Sequence, residues 1–272
     1  MNCSGTKNWV STPTRSTAIA SNPGHCFWSG IVPKDLAARL VARLMQPDMW
    51  SGWGIRTLSA LHKSFNPYNY QTGAVWPHDN AIIAFGFRRY GFAAEAAAVA
   101  RSISGAASHF LLNELPELYA GLQRENLSFP VQYIGANVPQ AWAAGTPFVL
   151  LQAMLGIVPD APRGRLYVDP ALPDWMPDVT LIDLRLGRET MDLRFWRDGE
   201  ETKFEVLRGD ASSVVLPHHC RRTGPEDPFA SAGLTGADPS GCRRPVRWRK
   251  TWGCFDQFDG ESLEIQRDQA SC

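Results

Sequence analysis

The chain has little that would mark it for a metal, a membrane or a nucleic acid. Its six cysteines, Cys3, Cys26, Cys220, Cys242, Cys254 and Cys272, fall at no zinc-ligand spacing and make no dense disulfide framework. Reduced thiols in a cytoplasmic protein are what that usage suggests. No apolar run reaches the ~18 residues of a membrane-spanning helix, and the N-terminus has no signal-like apolar stretch. No membrane partner is therefore expected. Lys plus Arg and Asp plus Glu number 27 each, so no net field draws the chain to nucleic acid or an anionic bilayer. A G-x-S-x-G elbow does not occur, so a serine hydrolase of that type has no support. His78 and Asp79 with His25 or Cys26 contain no closely spaced ligand pair, so no metal and no cofactor is expected.

What is present is aromatic. Ten Trp occur in 272 residues, several in polar loops where core packing does not explain them. A hydrophobic fraction of 44% suits a globular protein with a real core, and the length allows one large domain or one and a half. Residues 1–17 are polar and Ser/Thr-rich and read as a disordered lead-in. Pro33 fits the first position of a helix running to Met45, with Leu36, Ala37, Leu40, Val41 and Leu44 as its buried stripe. Helical spacing predicts a second helix after Asp79 or Asn80, either of which can cap it. A third runs antiparallel from Ala93 to Leu112 after the turn at Gly91, and a fourth, well buried, begins at Pro139. Between the last two lies a long connection whose aromatics argue against disorder.

After Pro159 the period changes to two: Leu166 and Val168, Val179 and Leu181, Met191, Leu193 and Phe195, Phe204 and Val206. Asp198-Gly199 between two such runs signals a hairpin. A small antiparallel β-cap over 161–217 follows, and 218–272 reads as a low-order tail. The tail carries RRPVRWRK, a basic clump better explained by a disordered end than by a nucleic-acid contact.

The stretch NPYNYQTGAVWPHDNAIIAFGFRRY, from Asn66 to Tyr90, is the candidate centre. It delivers Trp76, His78 and Asp79 from a turn-rich loop onto a helix start. An indole face to stack on and polar groups to meet hydroxyls are what a sugar requires of a protein. The plain alternative is that Asp79 only caps the helix while Trp76 packs beneath it. Glu117, in LPELYAG, is a carboxylate in a Pro/Gly loop between helices, suited to general-base work on a water. Its plain alternative is an exposed loop glutamate or a cap for the turn after Pro116. Glu114 reads as a solvated residue ending the preceding helix.

The segments SNPGHCFWSGIVP, PDMWSGWGIRTLS, FNPYNYQTGAVWPHDNAIIAFGFRRYGF, LPELYAGL and PQAWAAGTPFVLLQAMLG resemble, in that order, the C-terminal portion of bacterial amylo-α-1,6-glucosidase-like proteins. These are six-hairpin glycosidases, akin to glycogen debranching enzymes and mannosylglycerate hydrolase. The resemblance covers residues 18–216. It implies a mainly α fold: a partial (α/α)6 toroid over 18–160 followed by the β-cap. It further implies hydrolysis of α-glucosidic bonds with inversion and Glu117 as the catalytic base. Trp53, Arg56, Trp76, His78, Asp79 and Trp142 are the implied substrate-binding residues, and an oligosaccharide or α-glucoside the implied partner. Gln71, Thr72 and Ala74 depart from the His, Asn and Ser more usual in the motif. The family's upstream general acid has no counterpart here, and Asp48 and Asp79 are the only local substitutes. The missing N-terminal half of such an enzyme is thus an expected partner. A non-catalytic carbohydrate-binding or assembly module, or an inert truncated product, is the alternative.

Overall fold

The computed structural model describes residues 18–125 and 128–216, and the backbone of 263–265. The expected lead-in and the basic clump lie outside the described residues. Among the described residues five α-helices come first: α1 (His25–Ser29), α2 (Lys34–Leu44), α3 (Pro77–Arg89), α4 (Ala93–Ala107) and α5 (Ala141–Leu155). Two small sheets follow.

The helices start where the backbone allows. Pro33 stands just before α2 in an extended conformation rather than as its first residue. α3 begins at Pro77, three residues earlier than a cap at Asp79 would allow, because proline's fixed φ suits the first helical position. Asp79 and Asn80 therefore sit in its first turn, with their side chains free for other partners. Ala81, Ile83, Ala84, Gly86 and Phe87 bury nearly the whole circumference of α3. A Cβ on Gly86 would lie 2.5 Å from the Cβ of Phe27, so the glycine sets how closely α1 approaches. α4 ends at Ala107 rather than Leu112, because the chain is already extended at Phe110, where ψ is 151°, and turns left-handed at Leu112, where φ is +55°. α5 is not buried all round: Ala143, Leu150 and Met154 face inward while Trp142 and Phe148 stand exposed. On α2, likewise, Ala37, Val41 and Leu44 are buried but Leu36 is exposed.

The alternating region forms β3 (Asp178–Leu186), β4 (Glu189–Asp198) and β5 (Glu201–Arg208), joined by two antiparallel hairpins. Both turns use a glycine in the left-handed region, Gly187 and Gly199, as two-residue hairpins require. The sheet is mixed rather than antiparallel, since β7 (Leu263–Ile265) pairs parallel with β3. That strand comes from the stretch expected to be low in order. A second sheet joins β1 (Val158–Asp160), β2 (Arg165–Tyr167) and β6 (Val214–Val215), with β2 and β6 parallel. One buried cluster runs from Phe27 and Phe87 in the helices through Leu155 and Leu166 to Leu193 and Phe195 in the sheet. Arg88 of α3 extends across this boundary to the Asp169 carboxylate at 2.9 Å. None of the helices among the described residues is long and apolar enough to cross a membrane.

Four loops above the N-terminal end of α3 are stitched to one another through the backbone. Thr57 N–H donates to Ala74 O at 2.9 Å, and Val75 and Tyr119 exchange bonds of 2.9 and 3.0 Å. Ala120 N–H donates to Val131 O at 2.7 Å, and Glu117 N–H to Asn137 O at 3.0 Å. The long connection after α4 is therefore held strand-like against its neighbours without belonging to either sheet.

Candidate active site

Glu117 sits in this loop platform and is only 5% exposed. A carboxylate is costly to bury unless donors surround it. Here they do. Tyr70 Oη–H donates to Oε1 at 2.5 Å, and the Asn137 side-chain amide donates to Oε2 at 3.2 Å. The Tyr70 bond above all, with help from Asn137 and Gln140, holds the Glu117 carboxyl below its ordinary pKa. The same bond pushes the Tyr70 phenol up to about 12. At neutral pH the pair is a carboxylate and a neutral phenol.

Tyr70 is presented by a run of Asx turns. Asn66 Oδ1 accepts from Tyr68 N–H at 3.0 Å, and Asn69 Oδ1 from Gln71 N–H at 3.0 Å and Thr72 N–H at 3.1 Å. The tyrosine ring packs edge-on against Trp76, with centroids 4.6 Å apart, and against Tyr133 at 5.6 Å. Trp76 donates its indole N–H to Tyr70 O at 3.0 Å, which closes the loop on itself.

Around the start of α3 the aromatic surface continues. The His78 ring stacks on Trp142, with centroids 4.3 Å apart and planes 8° from parallel, while Trp76 meets both edge-on. Burial holds the His78 imidazole below its ordinary pKa, outweighing the pull of Asp79 and Glu117, so the ring is neutral. Asp79 is mostly buried, and its Oδ1 accepts from His25 Nε2 of α1. That bond raises the His25 pKa. Trp76, His78, Asp79, Trp142 and Glu117 thus share one region.

Trp53 and Arg56 lie elsewhere. Trp53 is 1% exposed, with its ring edge-on to His109 and beneath the Arg124 guanidinium, 4.1 Å away. Arg56 is also buried and fastens three loops: it donates to Gly121 O at 2.6 Å, Pro47 O at 2.8 Å and Gln123 Oε1 at 3.0 Å. Asp48 is engaged by Arg43 at 2.7 and 2.9 Å and by Ser59, which holds its carboxyl below the usual range. It is poorly suited to give up a proton as an acid.

Sequence reasoning did not single out Tyr70, Asn137, Gln140 or Tyr133 as site residues. Tyr70 lay within the focal stretch, and the density of Asn and Gly around it was the usable signal. Asn137 reaches Glu117 only through the pairing of two loops, which no local pattern announces.

Residues 15–119 match the family model of the mannosylglycerate hydrolase MGH1-like glycoside hydrolase domain. Over that stretch the chain is similar to a glycoside hydrolase. The matched span includes Glu117, Tyr70 and the start of α3, and stops short of Trp142. A search of the curated proteins finds no match. Among solved structures, the GH63 mannosylglycerate hydrolase from Thermus thermophilus, in complex with Tris, aligns at 23% identity and a TM-score of 0.38, covering 49% of this chain and 29% of that one. An uncharacterized conserved protein from the same organism aligns at 21% identity and a TM-score of 0.36, covering 49% and 30%. A structure described as a wild-type glycosidase aligns at 20% identity and a TM-score of 0.36, covering 51% and 36%. This chain spans about a third of the length of these structures.

Proposed function

We propose that this chain forms the base-bearing part of an inverting glycosidase of the amylo-α-1,6-glucosidase type, acting on α-glucosides. The observation that carries the reading is Glu117, a buried carboxylate kept ionised by Tyr70 and Asn137 beside an aromatic cluster. In this role Glu117 takes a proton from a water as that water attacks the anomeric carbon. Trp76, Trp142 and His78 supply faces for the sugar ring, and Asp79 accepts from its hydroxyls. Trp53 and Arg56 act from beneath, as supports of the loops that carry these groups. The helices form part of an (α/α)6 toroid, with the sheets as its cap.

An inverting enzyme needs a second carboxyl ~6.5–9.5 Å from the first to protonate the leaving oxygen. Asp48 is held by Arg43 and Asp79 by His25. The acid in this scheme comes from polypeptide beyond this chain, the N-terminal half of a larger enzyme. A non-catalytic sugar-binding module is the second reading. It is favoured by one observation, that both Glu117 oxygens already accept hydrogen bonds.

The test is release of glucose from short α-glucosides and a limit dextrin by the purified chain and by Glu117→Gln, each alone and with the N-terminal half of a related enzyme added. Turnover that appears in any arm and vanishes in Glu117→Gln supports the base. Sugar binding that is unchanged in the variant, with no turnover in any arm, replaces the first reading with the second.

A further inference from the structure

The function proposed above leaves the partnership between α1 and α3 unused. His25 and Asp79 are 54 positions apart, and their bond joins two helices that also meet at Phe27 and Gly86 and through Arg89, which donates to Trp28 O at 2.8 Å. Asp79 is 8% exposed. Its Oδ1 is occupied by His25, but its Oδ2 is buried with no hydrogen-bond partner among the described residues. The neighbouring His78 Nδ1 is in the same condition. A buried carboxylate oxygen without a donor is costly, and in a native protein it calls for an explanation. The stacked pair His78 and Trp142 lies one residue away, so the missing donor fits a hydroxyl of a ring seated there.

We propose that His25 is a positioning residue: it fixes the Asp79 carboxylate through Oδ1 so that Oδ2 accepts a hydrogen bond from a sugar hydroxyl beside the His78–Trp142 stack. This rests on the reading of the site as a sugar site. The contact is charge-assisted while His25 is protonated. As pH rises through its raised pKa, the imidazole loses its charge and its hold on Asp79 weakens. The titratable group acting on this pair is His78 of α3, which also feels Glu117 from the loop, and the charged Arg89 of α3 meets α1 at Trp28 O. His78 and Glu117 have lowered values and titrate at more acid pH, so neither changes charge in the same window.

The experiment uses the full chain with glucose and methyl α-glucoside as probes, their affinity measured by calorimetry from pH 6 to pH 8.5. His25→Ala, His25→Gln, Asp79→Asn and Trp142→Ala are compared, and the His25 imidazole is followed by NMR. His25→Ala is expected to lose about tenfold in affinity at pH 6. His25→Gln, whose amide can still donate to Oδ1, should stay within about twofold of the parent at pH 8.5 and show no pH dependence. The parent should weaken several-fold across the range. The His25 titration should fall to an ordinary value in Asp79→Asn. Parent binding that Trp142→Ala weakens, with both His25 variants matching the parent at every pH, overturns the positioning role and leaves the sugar site standing. No binding of either probe by the parent overturns both.

Discussion

Replacing Asn80 by Ala should test how the site is held more sharply than any change at the site itself. Asn80 is fully buried, and its side chain answers the backbone of a different loop. Oδ1 accepts from Ile55 N–H at 2.7 Å, and Nδ2 donates to Ile55 O at 3.1 Å and to Trp76 O at 3.0 Å. Trp76 O keeps the α3 backbone bond from Asn80 N–H at 3.1 Å, so it is not stranded by the change. Ile55 N–H and C=O are. Each buried group left without a partner costs about 1–3 kcal/mol, so Asn80→Ala should lower stability by about 2–6 kcal/mol. For a protein of this size that is a fall in melting temperature of roughly 4–24 °C. Urea unfolding followed by circular dichroism gives the free energy, and hydrogen exchange of the Ile55 amide gives the location. A loss below about 1 kcal/mol, or an Ile55 amide as protected as before, would refute the reasoning.

Three further outcomes follow from the same contacts. Tyr70→Phe removes the main cause of the lowered Glu117 pKa, so that carboxyl should titrate nearer its ordinary value. A lowered carboxyl stabilises the fold above its unfolded pKa and loses that contribution as pH falls through its folded one. The variant should therefore be about 1 kcal/mol less stable than the parent at pH 7, with the gap closing toward acid, as a series of unfolding curves from pH 3 to 7 would show. Trp142→Ala should weaken glucose binding about three- to tenfold, read by fluorescence quenching, with stability changed by less than about 1 kcal/mol because the indole is half exposed. Gly121→Ala puts a Cβ 1.7 Å from Gly73 O, and no relaxation of a flexible side chain can relieve a backbone clash. It should cost more than about 4 kcal/mol, seen as loss of soluble protein or a collapsed melting transition.

The parts of the fold that repeat a local period were readable. α2, α3 and the hairpin at Gly199 lie close to where periodicity and turn residues put them. The failures have a common cause, which is packing between segments distant in the chain. Nothing local to Leu263 says that it will pair with Val179. Trp142 and Phe148 are as apolar as any core residue, and their exposure on α5 is decided by what the rest of the molecule leaves uncovered. Glu117 stood out because a carboxylate in a Pro/Gly loop is conspicuous. The groups that set its charge, Tyr70 and Asn137, stand 47 and 20 positions away and share no spacing with it.

The cross-bonding of the loops bears on how such a carboxylate could be moved into another protein. Val75 is paired with Tyr119, Gly121 N–H donates to Pro67 O, and Arg56 grips Gly121 O. The glutamate, the tyrosine that tunes it and the turn that presents that tyrosine form one mechanical piece. Grafting LPELYAG alone would transplant an ordinary glutamate. The smallest transferable unit is four discontinuous segments, around Arg56, Tyr70, Glu117 and Asn137, and a scaffold must offer anchor points for all of them at once to receive it.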